Sequence, residues 1–457
     1  MSRPVNGSAF TLYGWSVCFW AILNAFQYGY HISVLNQIQA VLSCKLVSPN
    51  LAHAPRLSSC IPMSDLTFSL VTAIFTVGGL AGSLLANSFI DSWGRRGTHR
   101  FCAILVALGA ALMGLSSNIY FLLLGRVIIG LGNGLSLCVG PIFLAEIAPS
   151  SISGSIGVLT QLAIVFGIML TQFIGINLAT PALWRFVFFI SFCLAVLQAF
   201  SASVVVESPA FLLKQGRLED HKHAAYRLWG TSIPSLASEE SLLNEDFEEL
   251  RAASPDNVTI SQVFTSKELR KPLLIVCYGM LAQQVSGINA VLYYSNDILA
   301  KSLPEFGPYV SLGVTVINVI MTFPPIILIE RMGRRPLLLL STLGGMASVV
   351  ALGYGLDSGA PTFSSLAIIT FVMSFATGLG PIPFVMIPEV SPPYAVSALS
   401  SVALSLNWIV NFIVGFSFLP LRNVLAGGDR FKEGRIFYLF VFLLGFSAFL
   451  LFRVYRP

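Results

Sequence analysis

Apolar stretches of about 20 residues, the length at which a helix crosses a bilayer, recur along this chain between short polar connections. They lie near residues 15–36, 66–90, 100–117, 120–144, 152–178, 184–206, 273–299, 309–329, 337–356, 363–387, 396–420 and 436–452. Helices and closed barrels alone satisfy their backbone in lipid, and these runs have helical length. The pattern therefore predicts an all-α membrane protein with twelve transmembrane helices. A long polar segment between the sixth and seventh spans divides the chain into a six-helix bundle over 1–206, a helical linker over 207–271 and a second six-helix bundle over 272–457. Within the linker, Leu242, Leu243, Phe247 and Leu250 form one stripe among Glu239, Glu240, Glu245, Asp246, Glu248, Glu249 and Arg251, which predicts an amphipathic helix.

Composition supports this picture. The 457 residues are 55% hydrophobic and 10% charged, which excludes an ordinary soluble domain. The net charge of +5 is small and dispersed, so nucleic acid is not an expected partner. Residues 1–11 are short and polar and lead directly into the first span, which is expected to act as its own insertion signal. Arg95, Arg96 and Arg100 follow the second span, and Arg331, Arg334 and Arg335 follow the eighth. The bias of Lys and Arg toward cytoplasmic loops puts this side, the linker and both termini in the cytoplasm. Residues 421–435, with four basic and two acidic side chains, argue the other way and are outvoted. Sequons at Asn6 and Asn257 then face the cytoplasm and are expected to be unused. Five of seven cysteines sit in apolar spans as small core residues. Cys44 and Cys60 share the loop after the first span, where a disulfide and two free thiols are both open.

The seventh span is the most polar in kind. It reads Gln283-Gln284-Val285-Ser286-Gly287-Ile288-Asn289-Ala290-Val291-Leu292-Tyr293-Tyr294. Amides at that depth find no partner in lipid, so these side chains face the bundle interior or a water-filled cavity. Two roles are open: glue between helices, and a site for a neutral, hydroxyl-rich solute such as a sugar. Three amides within seven residues, followed by a Tyr pair, favour the solute site. Gln161, mid-span in the fifth, needs a buried polar partner for the same reason, and a solute or an interhelical bond would serve.

The chain also repeats itself. Asp91-Ser92-Trp93-Gly94-Arg95-Arg96 follows the second span and Glu330-Arg331-Met332-Gly333-Arg334-Arg335 the eighth. Glu146-Ile147-Ala148-Pro149 ends the fourth span and Glu389-Val390-Ser391-Pro392 the tenth. The offsets, 239 and 243 residues, match, so one bundle duplicates the other, an architecture in which transporters hold solute between the halves. Gly-Arg-Arg alone is a topology signal. With the acids, it supplies carboxylate–guanidinium pairs that form when the cytoplasmic side shuts and break when it opens.

With these residues in view the chain resembles the sugar porters of the major facilitator superfamily, GLUT-type. The match rests on Gln283-Gln284-x-Ser-Gly-Ile-Asn289 with Tyr293-Tyr294, and on Gly125-Arg126, Glu207-Ser208-Pro209, Gly380-Pro381-Ile382-Pro383 and Asn407-Trp408-x-x-Asn411-Phe412. The resemblance implies two pseudo-symmetric helical bundles that move a monosaccharide by alternating access, as a monomer and with no cofactor. It implies sugar ligands Gln161, Gln283, Gln284, Asn289, Asn318 and Asn407, with Ile164 and Ile168 packing on the ring. It implies an outer gate of Tyr293 and Tyr294, an inner gate at Gly380, Pro381, Pro383 and Phe384, and a cytoplasmic latch of Arg95, Arg96, Arg126, Glu146, Glu330, Arg334, Arg335 and Glu389. It also points weakly to the fungal branch, and to a plasma or vacuolar membrane.

Several positions depart from the family pattern. Ala376 and Phe384 replace a Glu and a Trp of the glucose-transporting pattern, which leaves the hexose open. His31 stands where proton-coupled relatives carry an Asp, which favours facilitated diffusion. His31 as a proton carrier keeps symport as the alternative, and a polar helix-interface residue is the plain role. Ser153 and Val396 replace two latch arginines, which predicts a weaker inward lock. A sugar sensor is disfavoured by the short tail after the last span. An enzyme is disfavoured because the loops hold no paired-carboxylate, metal-ligand or nucleophile constellation.

Overall fold

The computed structural model describes residues 10–45, 59–149, 153–230, 260–300, 305–392, 395–429 and 432–455. The amphipathic helix expected around Leu242 to Leu250 and both sequons lie outside the described residues.

The predicted spans emerge as helices with identifiable ends. The first, Leu12–Leu42, starts at Thr11, whose hydroxyl accepts the Gly14 amide at 3.0 Å. The second and third form one run, Asp65–Gly114, which turns at Gly94, where φ is 75° and a side chain would be strained. Then follow the fourth, Ile119–Ile147, the fifth, Ser153–Leu178, and the sixth, Trp184–Ser201. Short helices Pro209–Lys214, Leu218–Trp229 and Ile260–Thr265 precede the second half.

There the seventh span breaks into Arg270–Val285 and Ile288–Ala300, the eighth into Gly307–Ile320 and Pro324–Met332, and the tenth into Pro361–Thr377 and Ile382–Val390. The ninth, Arg334–Asp357, the eleventh, Val396–Ala426, and the twelfth, Arg435–Val454, are continuous. Among the described residues, nine helices are long and apolar enough to cross a membrane. The second and third spans are one of these. The first is rich in polar residues and the eighth is interrupted before Pro324, so neither is counted, and together they complete the twelve.

Packing reflects the duplication. The first span lies on the fifth as the seventh lies on the eleventh, and the third on the sixth as the ninth on the twelfth. Between halves the first meets the seventh, the fifth meets the eighth and the second meets the eleventh. Exchanging the halves maps the fifth–eighth contact onto the eleventh–second contact, as a pseudo-two-fold axis requires. Close approach depends on small residues, as in membrane bundles generally. A Cβ on Gly29 would lie 1.9 Å from the Ile164 carbonyl, and one on Gly167 would lie 2.1 Å from that of Phe26, so the fifth span sits directly on the first.

Candidate functional site

The polar stretch of the seventh span straddles a break. Gly287 adopts φ 88°, a conformation that side chains disfavour, and ends the first helical segment just past Ser286. The amides flanking this break form one connected network. Gln283 Nε2 donates to the Gly380 carbonyl at 2.7 Å and the Leu379 carbonyl at 3.2 Å. Its Oε1 accepts from Asn407 Nδ2 at 2.9 Å and from Gln284 Nε2 at 3.4 Å. Asn289 donates in turn to Gln284. Four of the expected ligands, from the seventh and eleventh spans, therefore meet at one buried place beside the broken tenth span.

Gln161 stands on the first half. It shares a helix face with Ile164 and with Ile168, which is 3% exposed within the core shared by both halves, while Phe166 points to the opposite, lipid side. Gln161 itself is exposed. Asn318 is 9% exposed on the eighth span, which packs against the fifth. An aromatic group lies between the halves: Trp408 sits 5.9 Å from Tyr28 and 6.2 Å from Phe75, and its indole N–H reaches Ser83 Oγ at 2.9 Å.

The side bearing Tyr293 and Tyr294 is shut. Tyr293 donates to Asn411 Oδ1 at 3.0 Å and Tyr294 to the Gly415 carbonyl at 2.9 Å, and both rings are fully buried. Tyr294 stacks on Phe418 at 5.2 Å and meets Phe68 of the first half at 6.3 Å. Above them, Asn36 donates to Ser295 at 2.8 Å and accepts the Asn296 amide at 3.1 Å, and Gln37 reaches the Pro308 carbonyl at 3.1 Å. Lys45 pairs with Asp65 at 2.9 Å and extends to Asp297 at 3.9 Å across the halves. Cys44 and Cys60 form a disulfide beside Lys45, which closes the alternative of free thiols. The basic residues that argued against the chosen orientation are partly accounted for here: Arg422 is buried against Asp297 at 2.6 Å, and Lys432 pairs with Asp429 at 2.8 Å.

On the opposite side each latch pair stays within its own half. Arg95 grips Glu146 through two bonds of 2.7 and 2.8 Å, and Arg334 grips Glu389 at 2.5 Å. Arg335 is exposed, and the side chains of Glu330 and Ser153 lie outside the described residues. Arg96 serves the first-half cluster through its backbone N–H to Glu207 and through Nη1 to the Val205 carbonyl at 3.0 Å. Arg126 corrects an expectation: it is not a latch residue. It lies seven residues inside the end of the fourth span remote from Glu146, fully buried. Its guanidinium donates to the carbonyls of Val71, His31 and Thr72 at 2.7–3.1 Å and lies 4.6 Å from the Phe75 ring centroid. The motif Gly125-Arg126 did not reveal its depth in the span. His31 bonds Ser191 Oγ at 2.7 Å within the first half, the plain helix-interface contact.

Two features were missed from sequence. Glu207, noted as a motif residue without a role, accepts the backbone N–H groups of Arg95, at 2.9 Å, and Arg96, at 3.1 Å, where the third span restarts after Gly94. Burial pushes its carboxyl up, against the pull of these bonds. The outer polar seal around Asn36 and Ser295 was also missed. Its signal was the polar density of the first span.

Comparisons with known proteins agree with this geometry. The profile of the family described as "Sugar (and other) transporter" matches residues 17–456. The facilitated glucose transporter member 3 of solute carrier family 2 from Canis lupus familiaris is 34% identical over 449 residues, covering 95% of this chain and 88% of that relative. Vacuolar protein sorting-associated protein 73 of Saccharomyces cerevisiae is 30% identical over 430 residues, covering 89% and 87%. Among solved structures, a partially occluded inward-open conformation of the xylose transporter XylE from E. coli superposes with a TM-score of 0.74 at 20% identity, over 97% of this chain and 100% of that one, which shows the fold. The chain belongs to the sugar (and other) transporter family.

Proposed function

We propose that this sugar transporter carries a monosaccharide, a hexose of the glucose or fructose kind, by alternating access and facilitated diffusion. The amide cluster of Gln283, Gln284, Asn289 and Asn407 is the observation that carries the reading, with Gln161 as the ligand contributed by the other half. Neutral amides donate and accept at once, which suits sugar hydroxyls and gives no charge for an ion to follow. Asn318 completes the ligand set, and Ile164 and Ile168 pack on the apolar ring face. Tyr293 and Tyr294 are the outer gate; Gly380, Pro381, Pro383 and Phe384 are the inner gate. The bundles over 1–206 and 272–457 move against each other about the linker over 207–271, and the protein works as a monomer with its termini in the cytoplasm, in a plasma or vacuolar membrane. No catalytic role is assigned.

His31 in place of a carboxylate supports uniport, and its bond to Ser191 needs no proton exchange. Uptake of labelled glucose, fructose, galactose and xylose into proteoliposomes, with and without an imposed pH gradient, tests this. Uniport predicts equilibration unaffected by the gradient, whereas accumulation would establish proton symport. Gln161→Ala and Gln283→Ala are each expected to lower uptake about tenfold or more, the cost of one buried hydrogen bond of ~1.5 kcal/mol. Normal transport by both variants would refute the site.

A further inference from the structure

We propose that the sugar and the broken tenth span compete for one amide, that of Gln283, so that sugar binding itself releases the inner gate segment. This rests on the sugar-binding role assigned to Gln283 above. In a helix, each carbonyl accepts from the amide four residues on. Leu379 would be served by residue 383, but Pro383 has no N–H to give. The tenth span accordingly stops at Thr377 and restarts at Ile382, and Gly378 and Gly380 both turn their amides back to the Phe375 carbonyl, at 3.3 and 2.9 Å.

The carbonyls exposed by this break are taken by Gln283, whose Nε2 reaches Leu379 at 3.2 Å and Gly380 at 2.7 Å. A side chain from the seventh span thus replaces the donor that proline removed. Nε2 carries two hydrogens and both are committed. Oε1 is occupied as well, by Asn407 and Gln284. Gln283 is only 4% exposed, so no bulk water stands ready to substitute.

A sugar hydroxyl can accept from Gln283 Nε2 only by taking a hydrogen from one of these carbonyls. The carbonyl left behind, buried at Leu379 and partly buried at Gly380, loses its donor, which disfavours the present arrangement of residues 378–381. The segment Ile382–Val390 then gains a reason to move when, and only when, sugar is bound. Because the ligand network ends on the gate backbone, occupancy and gating are one exchange of hydrogen bonds.

Hydrogen–deuterium exchange of the peptides covering residues 375–390, on full-length protein in lipid nanodiscs, tests this. Without sugar, Gln283→Ala is expected to speed exchange there by roughly tenfold, because the break loses its donor. Adding Pro383→Ala restores an N–H to Leu379, so the double variant is expected to return to about the wild-type rate. With saturating D-glucose, or D-fructose if the wild type binds only that, exchange over residues 375–390 is expected to change in wild type. It is expected to stay unchanged in Gln283→Ala at concentrations that saturate its residual binding. Wild-type exchange rates in sugar-free Gln283→Ala would overturn the proposal, as would a full sugar response in that variant. If wild type binds neither sugar, the hexose reading fails, while the sugar-free comparison still decides the role of Gln283 at the break.

Discussion

Arg126 carries its charge in the interior of the first bundle on backbone carbonyls and the Phe75 ring, with Val71, His31 and Thr72 as acceptors. Three carbonyls from the first and second spans converge on one planar fork, a geometry that Lys cannot reproduce. The carbonyls keep their intrahelical bonds, but replacement by Ala removes three charge-assisted hydrogen bonds and the ring contact and leaves a cavity, so Arg126→Ala is expected to cost roughly 3 kcal/mol or more and Arg126→Lys somewhat less. Thermal unfolding in detergent measures this. A loss below ~1 kcal/mol for Arg126→Ala would contradict the bonding. A residue of this kind shows what a motif conveys: Gly125-Arg126 announces the family, but the side chain's partners lie on other helices, and none is near it in sequence.

The elements were legible to very different degrees. Every predicted span is present because apolar length is a local property, and the break of the tenth span lies where Pro381 and Pro383 lack N–H groups. The break of the eighth span before Pro324 was equally local and was passed over. The seventh-span break depends on a single Gly287, and the network joining it to the tenth and eleventh spans is tertiary, so sequence offered the amide types but not their partners. Packing of the first span on the fifth is also tertiary, and it fixes Gln161. Gly167→Ala would place a methyl 2.1 Å from the Phe26 carbonyl and force the fifth span outward. A displacement of about 1 Å at a binding group can cost as much as ~100-fold, so uptake is expected to fall at least tenfold while the helical content stays intact. Phe166→Ala, on the lipid side of the same helix, is the control and is expected to transport normally. Equal transport by Gly167→Ala and the control would show that this contact does not set the site.

At the scale of the molecule, the halves are held shut on the side of Tyr293 and Tyr294 by contacts that include Asn36 to Ser295, Gln37 to Pro308 and Lys45 to Asp297. The cytoplasmic pairs, Arg95 with Glu146 and Arg334 with Glu389, lie inside their own halves. The substituted positions bear on this balance. Residue 153 opens the fifth span, which packs on the Gly307–Ile320 segment of the eighth, and the acid Glu330 lies on the next segment, Pro324–Met332. Residue 396 opens the eleventh, which packs on the second, and the second ends near Asp91. Ser153 and Val396 supply no cation at these positions, and arginines there are expected to reach an acid of the other half when that side closes. Two exposed pairs contribute about 1–2 kcal/mol together, which shifts the ratio of inner-shut to inner-open molecules by roughly 5–30-fold. Ser153→Arg/Val396→Arg is therefore expected to favour the inner-shut state. Spin labels on the exposed positions Ser92 and Arg331, one at each cytoplasmic edge, would report it by electron–electron resonance as growth of the short-distance population. The effect should fade in high salt, because exposed pairs are screened. An unchanged distance distribution at low salt would mean that the missing arginines do not govern the lock, and that the outer seal alone sets the resting conformation.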